Sequence, residues 1–167
     1  MEHGVTAGVF MKKFDVSVPR KMFWSNDVGG TGFCPLCQGR LEQESHSYLL
    51  IIRESRDIQS FIVGNDRGHF CERCPVVVLD YETFEQSALA GNPSSRSFEF
   101  TVPGIVDLDA IPEENADIPI GDDDNPIPLV RFANYRDGEP VKKKRKRGKI
   151  SKAHRKRKSN RRAKSSR

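Results

Sequence analysis

Two pairs of cysteines, Cys34-Pro-Leu-Cys37 and Cys71-Glu-Arg-Cys74, are the only cysteines in this 167-residue chain. A two-residue gap lets both sulfurs of a pair face into one tight turn. Two such turns brought together supply four thiolates, the donor set of a closed, tetrahedral, structural zinc site with Zn–S distances of ~2.3 Å. Four protein ligands leave no position for water, so the chemistry expected of this centre is cross-linking and not catalysis. Zinc is the expected ion, one per chain, with iron the alternative that uses the same ligands. Pairs of this kind are usually spaced by about 15–20 residues. Here 33 residues, 38–70, intervene, so the interval must carry structure of its own.

Competing readings of these cysteines are weaker. Buried free thiols do not require two matched pairs. A redox Cys-x-x-Cys occurs once, beside a βαβ pattern, and no such pattern is present. His69 precedes Cys71 by two residues and reads as an ordinary strand residue, since four cysteines complete the shell; His46 reads as an exposed loop residue. No nucleophile–base constellation or phosphate-cradling loop stands out, so a non-enzymatic protein is expected. Asp122-Asp123-Asp124 lacks the spacing of a calcium loop and reads as a solvated run.

The elements that must position the cysteines are mostly β. Tyr48–Ile52 and Ile58–Val63 are short strand candidates, separated by the polar break Glu54–Asp57. Gly64–Gly68 reads as a turn. Val76–Leu79 is a further strand, and Asp80 caps a helix from Tyr81 to about Ala90, closed by Gly91, with Tyr81, Phe84, Ala88 and Leu89 towards one face. Gly39, just after the first pair, is expected to adopt a left-handed conformation that turns N–H groups towards sulfur, and Arg40 and Arg73 are placed to offset the thiolate charge. Phe98, Phe100 and Val102 alternate and suggest one more strand.

These features carry a family resemblance. The Cys-Pro-Leu-Cys-Gln-Gly start, a two-stranded insert, the Phe-Cys-Glu-Arg-Cys return and an apolar strand running into an acidic helix make residues 33–90 resemble the zinc-binding domain of MqsA/YgiT-type antitoxins. The resemblance implies structural zinc held by Cys34, Cys37, Cys71 and Cys74, and contact with a protein partner. The helix-turn-helix of those antitoxins has no counterpart after Gly91.

The expected fold is a small α+β zinc ribbon: a β-hairpin between the two knuckles, then a strand and a short helix, with disordered flanks. The expected organisation is an N-terminal segment of unclear structure (1–30), the ribbon (31–91), an acidic, proline-containing, mostly extended linker (92–141) and a disordered basic tail (142–167).

Charge divides the chain sharply. Residues 142–167 hold 16 of the 28 basic residues and no acidic one, which leaves 12 basic against 23 acidic in 1–141, a net −11. Eight carboxylates lie in 107–124 alone. In the tail, Lys142, Lys143, Lys144, Arg145, Lys146, Arg147, Arg155, Lys156, Arg157, Lys158, Arg161 and Arg162 form a dense cationic series suited to RNA or DNA backbone. It contains no aromatic residue to stack bases, so little sequence readout is expected. Other destinations for such a tail are the acidic stretch 107–124, a nuclear import receptor in a eukaryotic host, or an anionic membrane; the last lacks apolar anchors, and no membrane association is expected. No apolar run approaches a membrane span and no secretory signal is visible at the start, so the expected location is cytoplasmic, nucleoid- or ribosome-associated, or nuclear in a eukaryote.

The function expected from these observations is a non-enzymatic zinc protein whose tail contacts nucleic acid. The alternative is an antitoxin-like or regulatory protein whose ribbon binds a specific protein partner.

Overall fold

The computed structural model describes residues 12–91 and 97–137. The interval between the cysteine pairs folds as one long antiparallel hairpin, β2 (Leu41–Glu54) and β3 (Asp57–Cys71), turning at Ser55-Arg56 with Ser55 at φ 51°. Tyr48, Leu50 and Ile52 alternate onto the face that builds the main core. Gly64–Gly68 is not a turn: β3 runs through it. Gly64 instead belongs to a bulge, where the register passes from Tyr48↔Val63 to His46↔Asp66. A glycine inside a strand marks a bulge as readily as a turn, and here the bulge absorbs one extra residue on β3. A one-residue slip would have turned every later side chain to the other face.

Val76–Leu79 forms β4, all four residues buried. Val77 and Leu79 face the main core, whereas Val76 and Val78 face a second cluster that contains the cysteines. The continuous apolar run is therefore the mark of a strand covered on both sides. Beside it lies β1 (Lys21–Trp24), parallel to β4, leading into the single-turn α1 (Ser25–Val28). Helix α2 (Tyr81–Gly91) follows β4. Asp80 caps it, accepting from Thr83 N and Oγ1 at 3.2 and 2.7 Å. Tyr81, Phe84 and Ala88 are buried, but Leu89 is exposed.

The sheet continues on the other side of the hairpin. β5 (Glu99–Val106) pairs with β2, and β6 (Leu129–Arg131) pairs with β5, giving the order β1-β4-β3-β2-β5-β6. Segments 1–30 and 92–141 thus supply three of the six strands, which corrects the expectation of disordered flanks around a ribbon. The reason is burial. Trp24 meets the rings of Tyr81, Phe84 and Phe100 edge-on at 5.5, 5.8 and 5.7 Å, so the core cannot be assembled from 31–91 alone. After β6, Ala133 N donates to Arg20 O at 2.8 Å, and the Asn134 amide bonds both Met22 N and Met22 O. The two edges of the sheet therefore meet, and neither offers a long unpaired strand.

The acidic stretch is also more than an extended linker. It forms the loop between β5 and β6, with 3₁₀ turns at Leu108–Ala110 and Glu113–Asn115. Buried Asn125 pins it by donating from Nδ2 to Ile118 O at 2.8 Å. All its carboxylates but the half-buried Asp107 stay exposed. At the end of the loop and in β6, Phe132 is buried and Ile127, Leu129 and Val130 are half-buried.

Where β6 crosses β5, Gly104 has no room for a side chain. A Cβ there would overlap the Val130 carbonyl oxygen and lie 2.8 Å from its carbon. Both are backbone and cannot rotate aside. Gly104→Ala is expected to cost about 1–3 kcal/mol, as overpacking does. A lowered midpoint in urea denaturation, with the m-value unchanged, checks it.

Candidate metal centre

The hairpin explains how cysteines 34 residues apart come together. Leu41 at the start of β2 pairs with Cys71 at the end of β3. The open end of the hairpin therefore holds the first knuckle just before β2 and the second just after β3. The sequence interval is spent on going out and back. The four Sγ atoms lie within 4.8 Å of one another, and Cys37 Sγ is 3.6 Å from Cys71 Sγ. Four sulfurs tetrahedrally placed at ~2.3 Å from one ion are about 3.8 Å apart, so the cluster is of the right size and donor type for zinc.

Backbone geometry supports the same arrangement. In the first knuckle Gln38 N donates to Cys34 O at 3.0 Å and Cys34 N to Gly39 O at 2.8 Å. The left-handed residue is Gln38, at φ 59°, and not Gly39 as the sequence suggested. Gly39 instead sits in a close space: a Cβ there would lie 3.3 Å from both Cys37 Sγ and Arg73 Nη2, so both side chains would have to give by a few tenths of an ångström. In the second knuckle Cys74 N donates to Cys71 Sγ at 3.4 Å.

The surroundings divide the ligands into two classes. Cys34 and Cys71 are buried against Val76 and Val78, while Cys37 and Cys74 are half-buried at the rim. In the metal-free protein the backbone N–H of Gly39, with help from Cys71, draws the Cys37 thiol down to about 7. Burial pushes Cys34 up. Cys74 is pushed up to about 12, chiefly by its contact with the Cys37 sulfur. The first thiolate to form thus opposes the rest until a cation compensates it. Metal binding would accordingly release protons, and apparent zinc affinity is expected to fall with decreasing pH throughout the range below about 12, most steeply below about 7, where Cys37 is protonated as well. Chelator competition at stepped pH checks this; an affinity flat from pH 8 to 6 overturns it.

Among the described residues the cluster consists of the four cysteines. His69 lies on β3, paired with Gln43 and Val78. His46 is not an exposed loop residue. It is buried on β2, edge-on to Phe70, with Nε2 2.7 Å from Glu44 Oε1 but poorly aligned for a hydrogen bond. Burial lowers its pKa. Arg40 and Arg73, the cations expected to offset the thiolates, are both exposed.

The sequence offered no signal for the residues that flank the second knuckle. Lys21 N donates to Pro75 O at 2.8 Å, which brings the segment 13–20 alongside Cys71 and Cys74. Between them lies an open cleft of about 410 Å³, lined by Lys13, Phe14, Arg20 and Arg73 among others. Phe14 stacks on Phe70 at 5.0 Å.

The basic residues expected to bind nucleic acid, Lys142 to Arg147, Arg155 to Lys158, Arg161 and Arg162, lie outside the described residues. Among the described residues no helix is long and apolar enough to cross a membrane. Comparison with family models, with curated proteins and with solved structures finds no match for this chain.

Proposed function

We propose that this chain is a non-enzymatic zinc-ribbon protein in which one structural zinc, held by Cys34, Cys37, Cys71 and Cys74, fastens a small β domain that presents a basic tail to RNA or DNA. The observation that carries the metal reading is the convergence of all four sulfurs at the open end of one hairpin. The ribbon description is supported by the two knuckles around that hairpin, and by the resemblance of residues 33–90 to the antitoxin zinc domain. The nucleic-acid reading rests on charge, with 16 cations and no anion in 142–167. A reducing, cytoplasmic setting suits free thiolates.

Purified protein is expected to carry about one zinc per chain and to lose its tertiary structure when a strong chelator removes it. A metal-free wild type with full secondary structure and a cooperative unfolding transition overturns the metal reading.

One observation favours a second reading, a protein partner held by the ribbon. Phe33 and Leu36 flank Cys34 and are 61% and 55% exposed. Apolar side chains at a rigid knuckle suit a protein contact. Recovery of one stoichiometric partner that Phe33→Ser with Leu36→Ser abolishes would establish it.

A further inference from the structure

We propose that Arg20 is the built-in counter-cation of the four-thiolate centre, setting its metal affinity from the second shell. The inference rests on the metal reading above. Four thiolates around a divalent ion carry a net charge of −2. A buried charge is costly unless an opposite charge answers it. Both halves of that problem are present side by side in this fold.

Arg20 is 9% exposed, and its Nε is buried without a hydrogen-bond partner. Its guanidinium lies over the rings of Phe14 and Phe70, 5.5 Å from each centroid. Among the described residues no carboxylate comes within ion-pair distance of it. Asp15 and Glu44 keep their negative charge but lie beyond ion-pair distance of the guanidinium and are held by other donors. Asp15 accepts from Ser17 N and Oγ at 2.9 and 2.7 Å. Glu44 accepts from Lys13 N at 2.8 Å and contacts His46. Lys13, the neighbouring cation, is exposed and paired with Glu42 and Glu72. Arg20 lines the same cleft as Cys71 and Cys74, and Phe70, which its guanidinium covers, is the residue before Cys71. Burial lowers the Arg20 pKa, against the opposing pull of Asp15 and then of Cys71.

Position decides which cation matters. Arg40 and Arg73 are nearer in sequence to the ligands, and Arg73 Nη2 also lies near Cys37 Sγ across Gly39, but both are exposed, so water and salt screen them. Arg20 acts through a lower dielectric, where the same charge counts for several times more. Arginine suits the place because its guanidinium is weakly hydrated and stacks on aromatic faces. The pairing Lys21 N to Pro75 O fixes the backbone beside the knuckle, so the cation arrives with the fold.

The test compares Arg20→Lys, Arg20→Gln and Arg20→Met in the full chain, using zinc competition against a chromophoric chelator and the sulfur-to-metal charge-transfer band of the cobalt-substituted protein. Removing the charge is expected to weaken zinc binding about 10–100-fold and to move the cobalt band to lower energy, because the sulfur lone pairs lose a stabilising cation. Arg20→Lys is expected to keep the wild-type band and to lie between the wild type and the neutral variants in affinity. Where Arg20→Met does not fold, Arg20→Gln against Arg20→Lys gives the same contrast. Neutral variants with wild-type affinity, or weakened binding with an unmoved cobalt band, overturn the proposal, the second outcome assigning Arg20 a packing role. A wild type that fails to bind zinc defeats the metal reading itself. A wild type that binds while every variant equals it defeats the counter-cation alone.

Discussion

Cys34→Ser is expected to lose stoichiometric zinc and to unfold most of the domain. Two costs add. Loss of one thiolate removes most of a binding free energy that is on the order of 10–16 kcal/mol for structural zinc in small domains. The serine hydroxyl would then sit at a fully buried site between Val76 and Val78, at a further cost of about 1–3 kcal/mol if unsatisfied. Domains of this size are stable by only about 5–15 kcal/mol, so the sum matches or exceeds what is available. The damage does not stay local, because β4 is shared. Its Val76 and Val78 line the cysteine cluster while Val77 and Leu79 line the main core. Cys37→Ser also removes a ligand, but its rim position lets the hydroxyl reach water, so its residual fold is expected to be the more stable of the two. Zinc content and far-ultraviolet circular dichroism across a thermal ramp distinguish these outcomes. A Cys34→Ser protein that keeps zinc and melts like the wild type rules the structural role out.

The cysteine cluster was legible because its information is local and chemical. Two matched pairs name the ligands without any knowledge of the fold. The hairpin between them was legible in part. The strand cores at Tyr48–Ile52 and Ile58–Val63 carry β-branched and aromatic residues, but the flanks of both strands are polar and read as loop. His46 was misplaced for this reason: polar neighbours Glu44, Ser45 and Ser47 hide the fact that its face of β2 packs on Phe70. Gly64 and Gly68 misled in the same way, since a glycine pair looks alike at a turn and at a bulge within a strand.

What was not legible is the long-range assembly. The Phe23-Trp24 pair hints at a short strand, but nothing local in Lys21–Trp24 announces one parallel to β4; only four residues long, it is chosen by the fit of Trp24 among Tyr81, Phe84 and Phe100. β5 contains Pro103, which argues against a strand, yet the register shift between Leu49 and Ile51 places that proline at a bulge. Arg20 combines both difficulties. Its place in the cleft by the second knuckle follows from the pairing of β1 with β4, and one-dimensional spacing from the cysteines pointed to Arg40 and Arg73 instead.

Removal of residues 142–167 is expected to abolish binding to RNA or DNA. The argument is one of sign and size. The remaining chain carries a net −11, so a polyanion is repelled once the tail is gone. With the tail, 6–10 phosphate contacts imply a fall in affinity of about 10³–10⁵ between 50 and 200 mM salt, and a log–log slope near −0.9 per phosphate on duplex DNA. The absence of aromatic residues from the tail predicts that scrambled and natural duplexes of equal length bind alike. The acidic loop between β5 and β6 enters the same balance. Its exposed carboxylates lie on the same chain and would compete with phosphate for the tail, so neutralising Asp122, Asp123 and Asp124 to asparagine is expected to tighten nucleic-acid binding at low salt. Filter binding or fluorescence anisotropy of full-length, truncated and triply substituted chains over a salt series measures all three effects. Equal binding by the truncated and full-length chains removes the tail from the function, and would shift the weight to the exposed Phe33 and Leu36 beside the metal centre.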